Sequence, residues 1–347
     1  MGMRWRSVIG GLSGLAAAVI WAVCLAIYQP YMEPSPAAGF VGNNTYWPRD
    51  IRQLAILLAF GGVVLIFRAD LRAVLAAAVG AVIWVGADLA LDRAGVSGGA
   101  AAAWLAVGGA VAFAGMVFAA RTVATPEPGP AHFLTTVFAV AAAVTVLITT
   151  PWDEPVTDAA DVRVENGLSL LKIVLIVMLA AVTVGLLPLD RLLWALPFAA
   201  LAALAAWPAT AAYGWLGALG LVLLPSAAAA AVTATGDVPP LRLLAITGAC
   251  ALALIPAYLL LYFIGSAVGA AMTSLAGNPA VDSADTDLSL ATVALLLGLL
   301  FATISRAFLA SAPSSPASSP ASSPASSAAD SAGDSAGDSS SAPDEAR

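Results

Sequence analysis

The residue whose type and position most directly suggest chemistry is Asp88. It lies inside Ala73 to Arg93, an apolar run long enough to cross a lipid bilayer. A charged side chain at hydrocarbon depth costs about 2.5 to 3.5 kcal/mol even on the scale derived from insertion experiments. Asp88 therefore needs a cationic partner, a watery cavity or a proton, and it marks the candidate polar site of this chain.

Two cations are predicted to lie at the same depth as Asp88. Arg52 is at the outer end of the second apolar segment, and Lys172 is one helical turn into the sixth. An ion pair with either would pin neighbouring helices together, with the long cationic side chain extending toward the interface. The alternative is a gated or proton-linked polar site. Arg52 is the preferred partner because only a short turn joins the second and third segments.

Other chemically active residues give weaker signals. Glu33 and Asp50 fall at the first outer loop, where they would supply a base or a metal ligand to an outer-leaflet enzyme, such as a glycosyltransferase that uses a lipid-phosphate donor. The GxSxG, HExxH and P-loop motifs of common hydrolases, proteases and nucleotide-binding proteins do not occur. The cysteines form no CxxC pair and there is a single histidine, so the sequence predicts no metal site and no cofactor.

Prolines within apolar segments are confined to the later part of the chain: they are Pro197, Pro208, Pro225 and Pro256. Each frees a backbone carbonyl that a neighbour or water must satisfy, and broken helices of this kind surround substrate sites in transporters. These four residues are therefore candidate hinges. The alternative interpretation is that proline is simply commoner in membrane helices than in soluble ones.

Two glycine pairs have the GxxxG spacing, Gly10 with Gly14 and Gly265 with Gly269. This spacing lets two helices approach closely. Because the chain is so rich in alanine and glycine, this spacing arises often by chance, and it indicates packing within the chain rather than a specific dimer interface.

The elements that must position these residues follow from composition. Hydrophobic residues make up 61% of the chain and charged residues 10%, against about 25% charged residues in soluble domains, and the mean hydropathy is +0.92. We therefore predict an all-α, polytopic helical membrane bundle embedded in a lipid bilayer. The net charge of -7 argues against a nucleic-acid partner. About ten transmembrane helices are predicted, at Val8–Tyr28, Gln53–Phe67, Ala73–Arg93, Ala100–Ala120, Phe133–Thr149, Leu168–Leu187, Leu192–Ala211, Trp215–Val232, Leu243–Met272 and Leu288–Phe308.

The chain is predicted to comprise a transmembrane domain, residues 1–309, and a tail, residues 310–347. The tail is rich in serine, proline and alanine and acidic toward its end, and it has no large apolar side chains to offset its chain entropy. It is therefore predicted to be disordered.

The distribution of lysine and arginine predicts the orientation. The faces on the side of the N-terminus carry Arg4, Arg6, Arg68, Arg72, Arg121, Arg191, Arg242 and Arg306, and the opposite faces carry Arg49, Arg52, Arg93, Arg163 and Lys172. Because cytoplasmic loops carry the excess of cations, we expect an integral plasma-membrane protein with both termini in the cytoplasm.

Three functions are open on these residues. The number of helices, the placement of proline and the intramembrane Asp88 favour a transport or lipid-translocation component. An outer-leaflet enzyme that uses Glu33 and Asp50 is the second, although the chain lacks a sizeable outer domain to hold an acceptor. The third is a non-catalytic scaffold assembled with other membrane subunits. A cavity containing Asp88 would favour transport. Carboxylates beside an outer-leaflet groove would favour the enzyme, and a solid core would favour the scaffold.

Overall fold

The structure is a computed structural model that describes residues 2–32, 47–125, 129–146, 159–187, 225–233, 238–278 and 288–310. These residues fold almost entirely as helices, within the unit Met1–Ala310, and the all-α prediction is confirmed for them. The predicted tail lies outside the described residues apart from Ala310, which is the last residue of the last helix.

The helices are long and follow one another through short connections. In chain order they are α1 (Gly2–Val23), a π-helical turn (Cys24–Tyr28) that continues into α2 (Gln29–Met32), α3 (Trp47–Ile66), α4 (Leu71–Arg93), α5 (Gly99–Val123), α6 (Ala131–Val146), α7 (Ala159–Leu186), α8 (Pro240–Ala276) and α9 (Leu290–Ala310). Residues 225–233 are also helical.

Among the described residues, six helical stretches are long and apolar enough to cross a membrane: Trp5–Met32, Leu71–Arg93, Gly99–Val123, Ala159–Leu186, Pro240–Ala276 and Leu290–Ala310. The chain is therefore a multi-pass integral membrane protein. The predicted number of about ten spans is not confirmed. α3 carries three charged residues in its first six positions, and α6 has only 16 residues. The predicted seventh span and most of the eighth lie outside the described residues.

Two helices include residues before the predicted spans. The second span, predicted at Gln53–Phe67 with a first turn beginning near Asp50, is helical from Trp47, so Asp50 lies in the first turn of α3 and not in a loop. Pro48 suits that turn because the first turn of a helix needs no N–H donor. The sixth span is helical from Ala159 rather than from Leu168, and the carboxylate of Asp161 in its first turn favours a helix N-terminus.

α3 is the centre of the bundle, because every residue from Trp47 to Leu65 is buried. It packs most extensively on α1 and also contacts α7 and α4. The closest approach joins Gly10 of α1 to Gly62, where a Cβ atom on either residue would lie 2.6 Å from the carbonyl oxygen of the other. Packing within the chain is confirmed for the predicted GxxxG glycines Gly10, Gly14 and Gly265, each of which faces another helix of this chain.

Contacts between helix termini define two ends of the bundle. At the first, the α3–α4 turn meets the end of α5, because the Asp70 carboxylate accepts hydrogen bonds from the backbone N–H of Ala73 (2.9 Å) and of Thr125 (3.2 Å). The end of α9 meets the start of α6, with the Arg306 guanidinium 5.7 Å from the centre of the Phe133 ring. We call this the basic end, because it holds Arg6, Arg68, Arg72, Arg121, Arg242 and Arg306.

At the opposite end, α1 meets the start of α5, and α4 meets the end of α8. The backbone N–H of Gly98, just before α5, donates to the Ala26 carbonyl over 2.8 Å. Arg93 donates to the Leu275 carbonyl over 3.3 Å. Ala26 lies in the π-helical turn, where each hydrogen bond joins residues five apart rather than four apart. Such a turn can leave a backbone carbonyl without a partner in its own helix, so that it can accept a hydrogen bond from elsewhere. Gly98 supplies that donor.

Candidate functional site

A buried charge cluster, formed by Arg52 of α3 with Asp88 and Asp92 of α4, lies at the end opposite the basic end. Arg52 Nε is 3.0 Å from Asp88 Oδ1 and donates a hydrogen bond to Asp88 Oδ2 over 3.1 Å, while Nη2 is paired with Asp92 Oδ2. Arg52 and Asp88 are fully buried and Asp92 is 6% exposed. Because residues four apart share one helix face, both carboxylates of α4 face the same guanidinium.

A tryptophan also binds Asp88. Trp21 of α1 donates its indole N–H to Asp88 Oδ1 over 2.8 Å. Its ring meets the ring of Trp84 edge-on, with 5.5 Å between the ring centres. Hydrogen bonds to an ionised group are roughly twice as strong as those between neutral groups. Asp88 therefore holds three helices together, α1 through Trp21, α3 through Arg52 and its own α4.

The first turns of α3 carry further buried polar side chains. Arg49 donates to Thr273 Oγ1 of α8 over 2.6 Å. Gln53 Oε1 accepts a hydrogen bond from the hydroxyl of Ser289, just before α9, over 3.0 Å. The start of α3 is thus tied to α4 by charge and to α8 and α9 by hydrogen bonds.

An apolar groove of about 510 Å³ lies between α4 and α5. Its volume is in the range of roughly 300 to 1,000 Å³ that ligand sites occupy. It extends from Ala76 to Leu91 on α4 and from Trp104 to Ala119 on α5, and Trp21 closes one side. Small residues leave the space, since nothing lies within 4 Å of a Cβ atom placed at Gly108 or Gly115.

The groove follows the helix axes and opens sideways. Leu91 follows Ala76 by 15 residues, which at about 1.5 Å per residue gives a length of about 22 Å. That is most of the thickness of about 30 Å of bilayer hydrocarbon. On the rims, Trp104 is 76% exposed and Ile83 is 67% exposed. Because α4 and α5 are both apolar enough to cross a membrane, the groove opens toward the lipid chains.

Trp21 connects the groove with the charge cluster. Its ring lines the groove, while its N–H binds Asp88. Ala87 and Leu91, which precede Asp88 and Asp92 in sequence, line the groove as well. The aspartates face Arg52 on another side of α4, so the cluster borders the groove without lining it.

The structure brings Asp88 and Arg52 together. Lys172 is buried in α7. Since the described part of α7 begins at Ala159, Lys172 lies more than three turns into the helix and not one. Asp50 is buried in α3 with its carboxylate 3.8 Å from Arg49, and Glu33 lies outside the described residues.

The candidate hinge prolines are only partly within the described residues. Pro197 and Pro208 lie outside them, Pro225 lies in the helical residues 225–233, and Pro256 lies inside α8. α8 continues as one helix on both sides of Pro256. No group of three or more His, Cys, Asp or Glu side chains suited to a metal ion occurs in the described part of the chain.

Two residues of the site were not found by sequence reasoning. Asp92 had a usable signal, because it follows Asp88 by four residues and residues so spaced share one helix face. Trp21 had none, since its N–H reaches Asp88 only through the packing of α1 against α3 and α4. Tryptophan in an apolar helix is otherwise ordinary.

Comparison of the chain with protein-family models, with curated proteins and with solved structures finds no match.

Proposed function

We propose that the protein is a lipid-translocation component, in which the groove between α4 and α5 receives a lipid acyl chain and supports its movement along the helices. The observation that carries this proposal is the groove. It is lined by apolar and small residues, opens sideways toward hydrocarbon, and extends over about 22 Å.

The walls of the groove suit a hydrocarbon chain. No charged side chain lines it among the described residues, so an acyl chain meets no desolvated charge along the way. Gly108 and Gly115 present no side chains that a moving chain would have to displace. Trp104 lies near the end of the groove closest to the charge cluster, where an indole ring suits the boundary between hydrocarbon and headgroups.

Asp88 does not line the groove, so the cavity containing Asp88 that would have favoured transport is not what carries this proposal. We assign the charge cluster a structural role instead. α4 forms one wall of the groove, and Asp88 attaches that wall to α1 and α3 through Trp21 and Arg52. The Arg52 and Asp88 side chains are fully buried and do not line the groove. They therefore hold the wall in place and do not contact the lipid.

The proposal is tested in vesicles. The full-length protein is reconstituted into phosphatidylcholine vesicles that contain a trace of phospholipid with a fluorescent nitrobenzoxadiazole headgroup, and dithionite, which destroys the exposed label, is added outside. Vesicles with the protein are expected to lose label from both leaflets, and protein-free vesicles from the outer leaflet alone. Equal loss in the two preparations would reject the proposal.

Variants that fill the groove identify the route. Gly108→Leu combined with Gly115→Leu places two side chains in open space inside the groove, so the fold is expected to persist and movement of the label to slow. Gly86→Leu is the matched control, because Gly86 also has nothing within 4 Å but lies on α4 outside the groove. Equal slowing by the control would show that the groove is not the route.

We further propose that the protein lies in the plasma membrane with its basic end facing the cytoplasm. Arg49, Arg52 and Lys172 are buried inside the bundle, so they do not belong to the exposed flanks that set orientation. Among the described cations that are not buried, six lie at the basic end and two, Arg93 and Arg163, at the opposite end. A topology reporter fused after Ser97 should lie outside the cell, and a cytoplasmic reading there would reverse the orientation.

A further inference from the structure

We infer that the groove selects a phospholipid with an anionic headgroup, and that the guanidinium of Arg72 binds the phosphate at the basic end. This inference rests on the proposed use of the groove as a lipid site. It adds the charge of the lipid and the end of the bundle at which its headgroup lies.

Arg72 continues the lining face of α4 beyond the groove. It lies in the first turn of α4, four residues before Ala76, the first α4 residue that lines the groove. Residues four apart lie on the same helix face, about 6 Å apart along the axis. Arg72 is exposed, and its planar fork of N–H donors matches the oxygen atoms of a phosphate.

The described charges around this mouth of the groove are basic. Arg68 is exposed in the α3–α4 turn. The nearest carboxylate, Asp70, is 5% exposed and accepts hydrogen bonds from Ala73 and Thr125. Among the described residues, no other acidic side chain lies at the basic end. An anionic headgroup there is attracted by the arginines, and few described carboxylates compete with it for them.

The combination of groove and arginine specifies the occupant. The groove offers contact to hydrocarbon alone, and the adjoining Arg72 offers contact to an anion just past its end. An anionic phospholipid carries both parts in one molecule, with an acyl chain along the groove and a phosphate at the interface. In a zwitterionic phospholipid, the cation of the headgroup offsets the phosphate charge that Arg72 would meet. A membrane helix of a partner would fill the groove but would bring no phosphate to Arg72.

Headgroup selectivity is measured by tryptophan quenching. The full-length protein is reconstituted in phosphatidylcholine, and part of the lipid is replaced by brominated phosphatidylglycerol or by brominated phosphatidylcholine with the same chains. Bromine quenches indole fluorescence on contact. The part of the quenching that disappears in Trp84→Phe reports the groove, because Trp84 lines it about halfway along and is only 3% exposed, so bromine reaches its ring only from inside the groove.

The anionic lipid is expected to occupy the groove about fivefold more strongly than the zwitterionic one, as one arginine near a membrane surface implies. Arg72→Gln should abolish this preference, and high salt should weaken it. Arg121→Gln is the matched control and should retain the preference. Arg121 is an exposed arginine of the same end, but it follows Ala119 by two residues and so lies about 200° around α5.

Equal quenching by the two lipids in the wild type would overturn the inference, as would a preference that survives Arg72→Gln. The absence of any groove quenching would show that something other than lipid fills the groove. Because quenching measures occupancy and the dithionite assay measures movement, the two failures are distinguishable. Movement without headgroup preference would leave the proposed function intact and remove this inference.

Discussion

The α1–α3 interface and the α4–α5 interface are both built with glycine, yet the first is closed and the second is open along part of its length. At the first, Gly10 and Gly62 bring the backbones so near that a Cβ atom on either would lie 2.6 Å from the carbonyl oxygen of the other. At the second, a Cβ atom on Gly80 would lie 2.5 Å from the Met116 side chain, whereas one on Gly108 or Gly115 would meet nothing within 4 Å. The same residue type therefore serves close contact in one place and open space in the other.

The difference lies in what surrounds each interface. α3 is buried from Trp47 to Leu65 and must be filled by protein on every side. α4 and α5 lie at the periphery, because only 22% of the most apolar 18-residue stretch of each helix is buried. Since lipid tails are as apolar as leucine, a peripheral gap can be filled by lipid without leaving a void. The charge cluster belongs to the closed side and fixes one wall of the open groove.

The largest effect is expected for Arg52→Gln, which breaks the link between the closed core and the wall of the groove. It leaves Asp88 and Asp92 buried without their cation, and breaking a buried ion pair in this way costs about 3 to 5 kcal/mol. Asp88→Asn should cost less, because Arg52 keeps Asp92 as its counter-charge. Thermal unfolding of the purified variants in detergent measures both losses.

The double variant Arg52→Gln with Asp88→Asn is the control for this prediction. If the two residues interact, its loss of stability is smaller than the sum of the single losses. Additive losses would contradict the ion pair. If Asp88→Asn lost as much stability as Arg52→Gln, this would contradict the pairing of both Asp88 and Asp92 with the Arg52 guanidinium.

The second prediction compares the two glycine interfaces directly. Gly62→Ala should destabilise the protein by about 1 to 3 kcal/mol, because the new methyl group meets the Gly10 backbone, which cannot move aside as a side chain could. Gly108→Ala should stabilise by about 0.5 to 1 kcal/mol, because alanine is the better helix former and the position is open. Unfolding in detergent gives the sign of each change. Two changes of the same sign would remove the contrast between the interfaces.

The third prediction concerns Trp21, which belongs to both regions. Trp21→Phe keeps an aromatic ring beside the groove but removes the N–H donor to Asp88, and a hydrogen bond to a charged group is worth about 1.5 to 3 kcal/mol. The loss should stay below that of Arg52→Gln, since Asp88 keeps its cation. Trp104→Phe is the matched control, and its stability should change by less than about 0.5 kcal/mol because the ring is 76% exposed.

Part of the site could be predicted from the sequence. Asp88 stood out because a carboxylate in an apolar run has few tolerated environments. Arg52 was the preferred partner because a short turn brings the second and third segments side by side, and the two side chains lie 3.0 Å apart. The sequence could not show how far Lys172 lies into its helix, because the described part of that helix begins at Ala159, nine residues before the predicted start at Leu168.

The class of the protein follows from its amino-acid sequence. Long apolar runs with few charges require a membrane, and in a membrane the backbone of such runs must satisfy its own hydrogen bonds as helices. The sequence also shows that Asp88 requires a cationic partner, a watery cavity or a proton. These conclusions depend only on the chemistry of each segment and not on its neighbours.

The tertiary structure alone decided which helix is central, which glycines touch and where the groove lies. In a soluble protein, the apolar face of a helix marks the side that packs inward. In a membrane, the side that faces lipid is as apolar as the side that faces protein. The pattern along α4 and α5 therefore could not show that Asp88 of α4 meets Trp21 and Arg52 while Gly108 and Gly115 of α5 border open space.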